Sequence, residues 1–265
     1  MDKDEVHSLI SCLRNGKNEE RVFNRLKKLF EGLDPNVDTK WKRKLINSLA
    51  RSDNPYSILL LNSLIPKLSA KDRAMLGYAM QAGIELKEFN EARFFYQQVS
   101  QIFQKKYSTV YDLCAGNGLN GFYWLMNKDA RRVGFYDSAE NKNFRRLARN
   151  FRDHEYNLGD IMEIDFQDTP EDSAFLSIHA CGNLTDRVIG IALSQRKPFA
   201  VMPCCYNYHD NPYFNSEMIN YFHNPKDAID ACRIRMAEQK GFRVLLRNIP
   251  EEVTDMNRII TGIPE

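Results

Sequence analysis

From Asp4 to about Lys105 the apolar residues recur at intervals of three and four, the spacing of one helical face. The stripes run through Val22, Leu26, Leu29 and Phe30, through Trp41, Leu45 and Leu49, from Leu59 to Leu64, from Met75 to Ile84, and through Phe94, Phe95, Val99 and Phe103. Five or six helices are predicted. Ser69 followed three residues later by Asp72 is a variant of the capping box, and Gly16, Gly32 and Pro55 fall between stripes, where helices stop or start. At Tyr107 the period changes to short apolar runs: 109–113, 133–136, 174–178 and 199–202, which read as parallel strands. Helical stretches at 119–127, 139–151 and 184–194 separate them and make a βαβ series, the pattern of a doubly wound sheet. A long helix over 226–240 and two closing strands, 242–246 and 258–261, finish the chain. With no crossover helix between them, these last two predict a hairpin. The division expected is an all-helical N-terminal domain, 1–104, and an α/β domain, 105–265, with no internal repeat.

Composition leaves that picture standing and removes other classes. The 265 residues are 43% hydrophobic and 27% charged, ordinary globular values that exclude a disordered or fibrous chain. Lys and Arg total 37 against 35 acids, so the net charge of +2 gives no overall attraction to nucleic acid, and any basic surface must be local. The six cysteines include an adjacent pair but no C-x-x-C, which fits reduced thiols in a cytoplasmic compartment better than a disulfide framework. The acidic start Met-Asp-Lys-Asp-Glu does not read as a secretion signal. Ile58 to Ile65, the most apolar N-terminal stretch, is eight residues long, against roughly 18 for a bilayer span, so no membrane contact is expected.

The segment 109–121 carries the strongest chemical signal. A strand runs into Gly116, Gly118 and Gly121 and then a helix, an arrangement that lets backbone approach a ligand. That spacing alone also fits a tight turn holding nothing. Asp112 precedes the glycines, where a carboxylate repels a pyrophosphate but accepts hydrogen bonds from an ammonium group, which argues against a dinucleotide. Asp137 ends the next strand, 21 residues after Gly116, at the distance of a ribose-binding acid. The residues Asp112 to Gly118 resemble the glycine-rich motif of class I S-adenosylmethionine-dependent methyltransferases, D-x-G-x-G-x-G, with Cys114 in place of its first glycine. Gly159-Asp160-Ile161 resembles their third motif and also fits a surface turn. The resemblance implies a Rossmann-like α/β fold with a seven-stranded methyltransferase sheet. It also implies S-adenosylmethionine as cofactor, held by Asp112, Cys114, Ala115, Gly116, Gly118, Asp137, Ser138, Asp160, Ile161 and His179.

Two further strand ends, His179-Ala-Cys-Gly-Asn-Leu-Thr-Asp186 and Met202-Pro-Cys-Cys-Tyr-Asn-Tyr-His209, resemble the group that contains the acceptor-stem tRNA ribose 2′-O-methyltransferase and methyltransferase-like relatives, over about residues 105–210. The zinc modules that precede the catalytic domain of the tRNA enzyme have no counterpart here, since the first hundred residues hold only Cys12 and His7. Methyl transfer requires a nucleophile held in line with the methyl group and removal of its proton. His179 is the candidate base, with Asp186 to orient it or bind substrate. Alternatively, His179 caps a helix and Asp186 decorates its first turn. Cys181, Cys204 and Cys205 admit three readings. They line the pocket as small hydrophobes, they act covalently as in cytosine-5 methyltransferases, or they join His179 and His209 around a metal. Because adjacent cysteines seldom share an ion, no metal centre is expected.

Tyr206, Tyr208, Tyr213, Phe214, Tyr221 and Phe222 suit a planar substrate or a lid, though core packing explains them too. Local basic clusters at Lys40, Lys42, Arg43 and Lys44, at Arg145, Arg146, Arg149 and Arg152, and at Lys17, Arg21, Arg25, Lys27 and Lys28 offer phosphate contacts or plain solvated faces. The function expected is S-adenosylmethionine-dependent methyl transfer to RNA, a tRNA ribose or base. The alternatives are a small-molecule or protein methyltransferase and a non-catalytic Rossmann-like interaction module. The sequence assigns no oligomeric state.

Overall fold

The computed structural model describes residues 3–14, 19–30, 46, 49–50, 54–65, 68–167, 169–206, 222 and 224–265. Gly16, Gly32, Trp41, Leu45, the cluster Lys40, Lys42, Arg43 and Lys44, Lys17, Tyr208, His209, Tyr213, Phe214 and Tyr221 lie outside the described residues. The chain divides into two compact units, residues 1–89 and 90–265.

The first unit is helical among the described residues. Helices α1 (Lys3–Arg14), α2 (Glu19–Phe30), α3 (Pro55–Leu64) and α4 (Ala70–Ala82) bury much of the predicted stripes, with Leu59 exposed instead. Val6, Val22, Leu26, Leu60 and Leu61 are all inaccessible to solvent, as are the helical residues Ile46 and Leu49. Local signals set the helix ends. Pro55 takes the first position of α3, where its missing N–H costs nothing, and the Asn54 side chain accepts from the backbone N–H groups of Tyr56 and Ser57. At α4 the predicted capping box forms in both directions: Asp72 N–H donates to Ser69 Oγ at 3.1 Å and Ser69 N–H to Asp72 Oδ2 at 3.0 Å. Helix α5 (Leu86–Phe103) begins in the first unit and continues into the second.

The second unit is a seven-stranded sheet with helices between its strands. In chain order it contains β1 (Tyr107–Leu113), α6 (Leu119–Asn127), β2 (Ala130–Asp137), α7 (Lys142–Ala148), β3 (His154–Leu158), β4 (Ser173–Ile178), α8 (Asn183–Ser194), β5 (Phe199–Met202), α9 (Pro225–Gln239), β6 (Phe242–Asn248) and β7 (Arg258–Pro264). The sheet order is β3-β2-β1-β4-β5-β7-β6. Strands β1 to β5 are parallel, and β7 inserts antiparallel between β5 and β6, forming with β6 the predicted hairpin. This is the Rossmann-like α/β fold the sequence predicts.

One strand escapes the sequence reading. β3 is His-Glu-Tyr-Asn-Leu, polar, half-buried and paired only with β2, so no apolar run or alternation marks it. It forms because its backbone completes the ladder from Val133↔His154 to Asp137↔Leu158. The central strands read clearly because both faces of the sheet are covered. Successive residues of a strand point to opposite faces. Phe135 stands 4.6 Å from the Phe122 ring of α6 and 4.9 Å from Phe144 of α7, while its neighbour Tyr136 meets Tyr111 and Phe166 on the other side.

The chain order of strands reverses between β1 and β4, which lie side by side and send their crossovers in opposite directions. In such sheets a crevice opens beyond the carboxyl ends at that point. Ser177 Oγ donates to Leu113 O at 2.6 Å and ties the ends of β4 and β1 together. No helix of the described residues is long and apolar enough to cross a membrane.

Packing at two glycines predicts opposite outcomes. A Cβ on Gly121 in α6 would lie 2.5 Å from the Phe135 ring and 2.8 Å from Val133, whereas one on Gly190 in α8 meets nothing within 4 Å. Gly121→Ala is expected to cost about 2 kcal/mol or more through overpacking. Gly190→Ala should gain roughly 0.5–1 kcal/mol from helix propensity. Denaturant melts of both variants test the helix–sheet contact; equal stabilities would refute it.

Candidate functional site

The loop from β1 to α6 is built from three left-handed residues, Cys114 (φ +58°), Gly116 (φ +54°) and Gly118 (φ +74°). They double the chain back so that Gly118 becomes the N-cap of α6. The three glycines differ in purpose. A Cβ on Gly118 would strike the Phe144 ring at 2.6 Å, and Gly121 is closed by Phe135, so these two serve close packing. Around Gly116 there is open space, so this glycine leaves backbone accessible. Cys114 carries a side chain in a backbone conformation that favours glycine. That is the physical reason the resembled motif has glycine there.

Asp112 is buried near the end of β1. Its carboxylate is 1% exposed; Oδ2 accepts from Gly121 N–H at 2.9 Å and Oδ1 from Asn120 Nδ2 at 3.0 Å. Each oxygen accepts one hydrogen bond from the loop, so Asp112 clamps β1 to α6 and keeps a further lone pair on each oxygen for the contact, direct or through water, that the sequence predicts. Burial pushes its pKa from 3.8 up to about 7, against the lowering effect of those two hydrogen bonds. Asp137, at the end of β2, does face the loop: Oδ2 accepts from Gly116 N–H at 2.7 Å and Oδ1 from Ala139 N–H at 3.3 Å. It is half-buried, and a carboxylate has lone pairs beyond these two. Ser138 is exposed beside it, and Ala115 N–H extends the β1–β2 ladder to Tyr136 O at 3.0 Å.

Asp160 lies two residues past β3. It is exposed, with Oδ1 accepting from Met162 N–H at 2.9 Å, while Ile161 is buried in the hydrophobic core. Cys114 draws these groups together. Burial first, then the charges of Asp137 and Asp112, the Cys181 thiol and Asp160 push its thiol up to about 12. The residues predicted from four separate stretches all lie at or just beyond the carboxyl ends of the parallel strands β1 to β4.

His179 follows β4 directly with φ +63°, and its N–H donates to Met202 O at 2.9 Å. Its side chain does not meet Asp186. Nε2 lies 3.0 Å from Oε2 of Glu91 in α5, whose side chain is 4% exposed, while Nδ1 is buried without a protein partner. Glu91 was missed by the sequence reading, yet a signal existed. Counting back by four from Phe103 through Val99 and Phe95 reaches Glu91, a charge in an apolar stripe.

Asp186 is instead a structural anchor, which corrects its expected role beside His179. Arg233 in α9, 1% exposed, donates from Nε to Asp186 Oδ1 at 2.6 Å and from Nη2 to Oδ2 at 3.2 Å, and from Nη1 to Asp230 Oδ1 at 3.2 Å. Asp230 also accepts from Tyr206 Oη at 2.8 Å and from Arg258 Nη1 at 3.0 Å. The network fastens α8 to α9.

The cysteines are not buried pocket lining. Cys181 and Cys205 are exposed and Cys204 half-buried, with Sγ–Sγ separations of 3.1 Å (181–204), 3.3 Å (181–205) and 3.5 Å (204–205). Burial raises the Cys204 thiol far above its ordinary value and raises Cys181 as well. A nucleophilic cysteine acts as the thiolate, the form that burial disfavours here. Among the basic clusters, Arg145, Arg146, Arg149 and Arg152 are all exposed on α7 and the turns after it, with Arg145 paired to Glu140. Arg21, Arg25, Lys27 and Lys28 are exposed on α2.

Residues 87–210 match the family model described as a methyltransferase domain. The glutathione S-transferase C-terminal domain-containing proteins of Bos taurus and Homo sapiens are each 25% identical over 191 residues, covering 58% of this chain. The chain spans 30% of the length of these relatives. Similar solved structures include an rRNA methylase from Streptococcus thermophilus, at 14% identity and TM-score 0.45, covering 68% of this chain and 98% of that one. The methyltransferase domain of a bacterial CtHen1 is 15% identical with TM-score 0.47, covering 66% and 98%.

Two measurements follow from the buried charges of the second unit. Folded Asp112 holds its proton to about pH 7 while the unfolded chain releases it near 3.8, so its contribution to stability is full below pH 4 and is lost as pH rises through 7. Asp112→Asn, with the Asn120 amide turned to accept from it, should flatten this slope, worth at most about 4 kcal/mol. Parallel melts at pH 5 and 8 with unchanged relative stability would sink the assignment. Arg233→Met strands two buried carboxylates and should cost about 3–5 kcal/mol by chemical denaturation; a loss below about 1 kcal/mol would mean the network is solvated.

Proposed function

We propose that this chain is an S-adenosylmethionine-dependent methyltransferase acting on RNA. The observation that carries the methyl-transfer reading is the open-sided turn at Gly116, whose N–H meets Asp137, with Asp160 and His179 likewise at or just beyond the carboxyl ends of the parallel strands. The chemistry of these groups fits the cofactor. Asp137 offers acceptor positions for ribose hydroxyls, Asp160 is exposed for an amino group, and Gly116 admits close backbone approach. When bound, S-adenosylmethionine supplies an electrophilic methyl group.

The chain's own task is to position the acceptor and take its proton. His179 is suited to this through its two nitrogens. With a proton on Nε2 directed at Glu91, Nδ1 keeps its lone pair for a proton from the acceptor. Its left-handed backbone at the strand end is the kind of strain that persists at functional positions. RNA as acceptor is supported by the four exposed arginines of the α7 region, a phosphate-binding chemistry in a chain with almost no net charge.

Calorimetry with S-adenosylhomocysteine should give binding in the micromolar range, weakened about 10- to 100-fold by Asp137→Ala. Tritiated-methyl transfer is expected to label total RNA in preference to protein or small-molecule extracts. His179→Ala should lower the rate about 10²–10⁴-fold with cofactor affinity retained. Replacing Arg146, Arg149 and Arg152 by Ala should weaken RNA binding and reduce its salt slope by about one unit per arginine. Label in protein alone would overturn the RNA acceptor, and absent cofactor binding would overturn the enzyme.

A further inference from the structure

The cysteine trio sits beyond the ends of β4 and β5, and the sheet register explains why its members meet. Ile178 pairs with Met202, so Cys181 and Cys205, each three residues further on, stand at the same level. The ladder continues past the strands: His179 N–H donates to Met202 O at 2.9 Å and Gly182 N–H to Cys205 O at 3.1 Å. Backbone hydrogen bonds therefore hold the two loops together and aim three sulfurs at one point. Among the described residues, no other trio of histidine, cysteine or carboxylate groups gathers this closely.

We propose that Cys181, Cys204 and Cys205 are thiolate ligands of a zinc ion. The ligand type is right, since thiolates select soft or borderline cations over magnesium or calcium. The geometry narrows the choice. A circle through sulfurs 3.1, 3.3 and 3.5 Å apart has a radius of about 1.9 Å, whereas a Zn–S bond is about 2.3 Å. An ion in the plane of the sulfurs would crowd all three. At bonding distance it rides about 1.3 Å above that plane with S–Zn–S angles near 90°, and the sulfurs reach tetrahedral geometry by parting to about 3.8 Å, a few tenths of an ångström each.

Without an ion, burial keeps the Cys181 and Cys204 thiols protonated, so binding must release their protons, and two features of the surroundings help. Cys181 directly precedes Gly182, the N-cap of the twelve-residue helix α8, whose positive end favours anionic sulfur. Exposure of Cys181 and Cys205 gives the ion a route in from solvent. The bend at Pro203-Cys204-Cys205 turns neighbouring sulfurs to one side, overriding the sequence rule that adjacent cysteines part. The assignment does not depend on which acceptor is methylated.

The test uses the full chain, stripped of metal and kept reduced. Zinc titration against a chromophoric chelator should show one ion per chain at sub-micromolar affinity. Cobalt(II) in its place should show thiolate-to-metal charge transfer and tetrahedral visible bands. Cys181→Ser, Cys204→Ser and Cys205→Ser should each weaken binding by about 100-fold or more, while Cys12→Ser and Cys232→Ser, elsewhere in the chain, bind as the parent does. Circular dichroism confirms which variants fold. Should a ligand variant unfold, the parent's cobalt spectrum decides alone. Octahedral cobalt bands without charge transfer, no binding at about 10 μM zinc, or binding untouched by Cys181→Ser would each overturn the proposal.

Discussion

A single buried carboxylate sets the geometry of the whole carboxyl edge. Asp112 receives one hydrogen bond from the Gly121 backbone and one from the Asn120 side chain, nine and eight residues further along, and so fixes how β1 turns into α6. The turn it closes is too tight for ordinary residues, which forces Cys114, Gly116 and Gly118 into the left-handed region. With the turn in place, Gly116 N–H points at Asp137 and couples the end of β1 to the end of β2. The cost is a carboxylate enclosed by protein, and its raised pKa is the record of that cost.

How much of this was legible depends on whether a signal was local. Residues 119–127 and 199–202 form the predicted helix and strand without change, because an amphipathic or doubly buried segment writes its period into its own residues. The capping box at Ser69 and Asp72 read true for the same reason. β3 did not, since an edge strand of polar residues borrows its structure from its neighbour's ladder. The glycines 116, 118 and 121 gave the location of the site, but the division of labour among them depends on Phe144 and Phe135, distant in sequence.

Long-range pairing explains the errors at the site itself. Asp186 was read as the partner of His179 because the two are seven residues apart, yet the partners come from other helices: Arg233 for Asp186 and Glu91 for His179. Both missed residues share one trace in the sequence. Glu91 precedes Phe95 by four, and Arg233 lies midway between Ile229 and Ala237, four from each, so each charge occupies a core position of its helix. A charge is stable there only if something buried answers it. Such positions announce a partner without naming it.

The placement of reactive groups follows from the covering of the sheet. Inside the strands both faces are packed, and the polar side chains found there are spent on the backbone, as Ser177 is on Leu113 O. Chemistry is thereby displaced to the first residues past each strand. Asp137 is the last residue of β2, Cys114 and His179 are one residue beyond β1 and β4, Asp160 and Cys204 are two beyond β3 and β5, and Cys181 and Cys205 are three beyond β4 and β5. Because parallel strands in register all end at one level, groups more than ninety residues apart arrive within reach of one another. The short strands β4 and β5 bring this about for the thiols: shifting their pairing by one residue would separate Cys181 from Cys205 and move His179 off Met202 O.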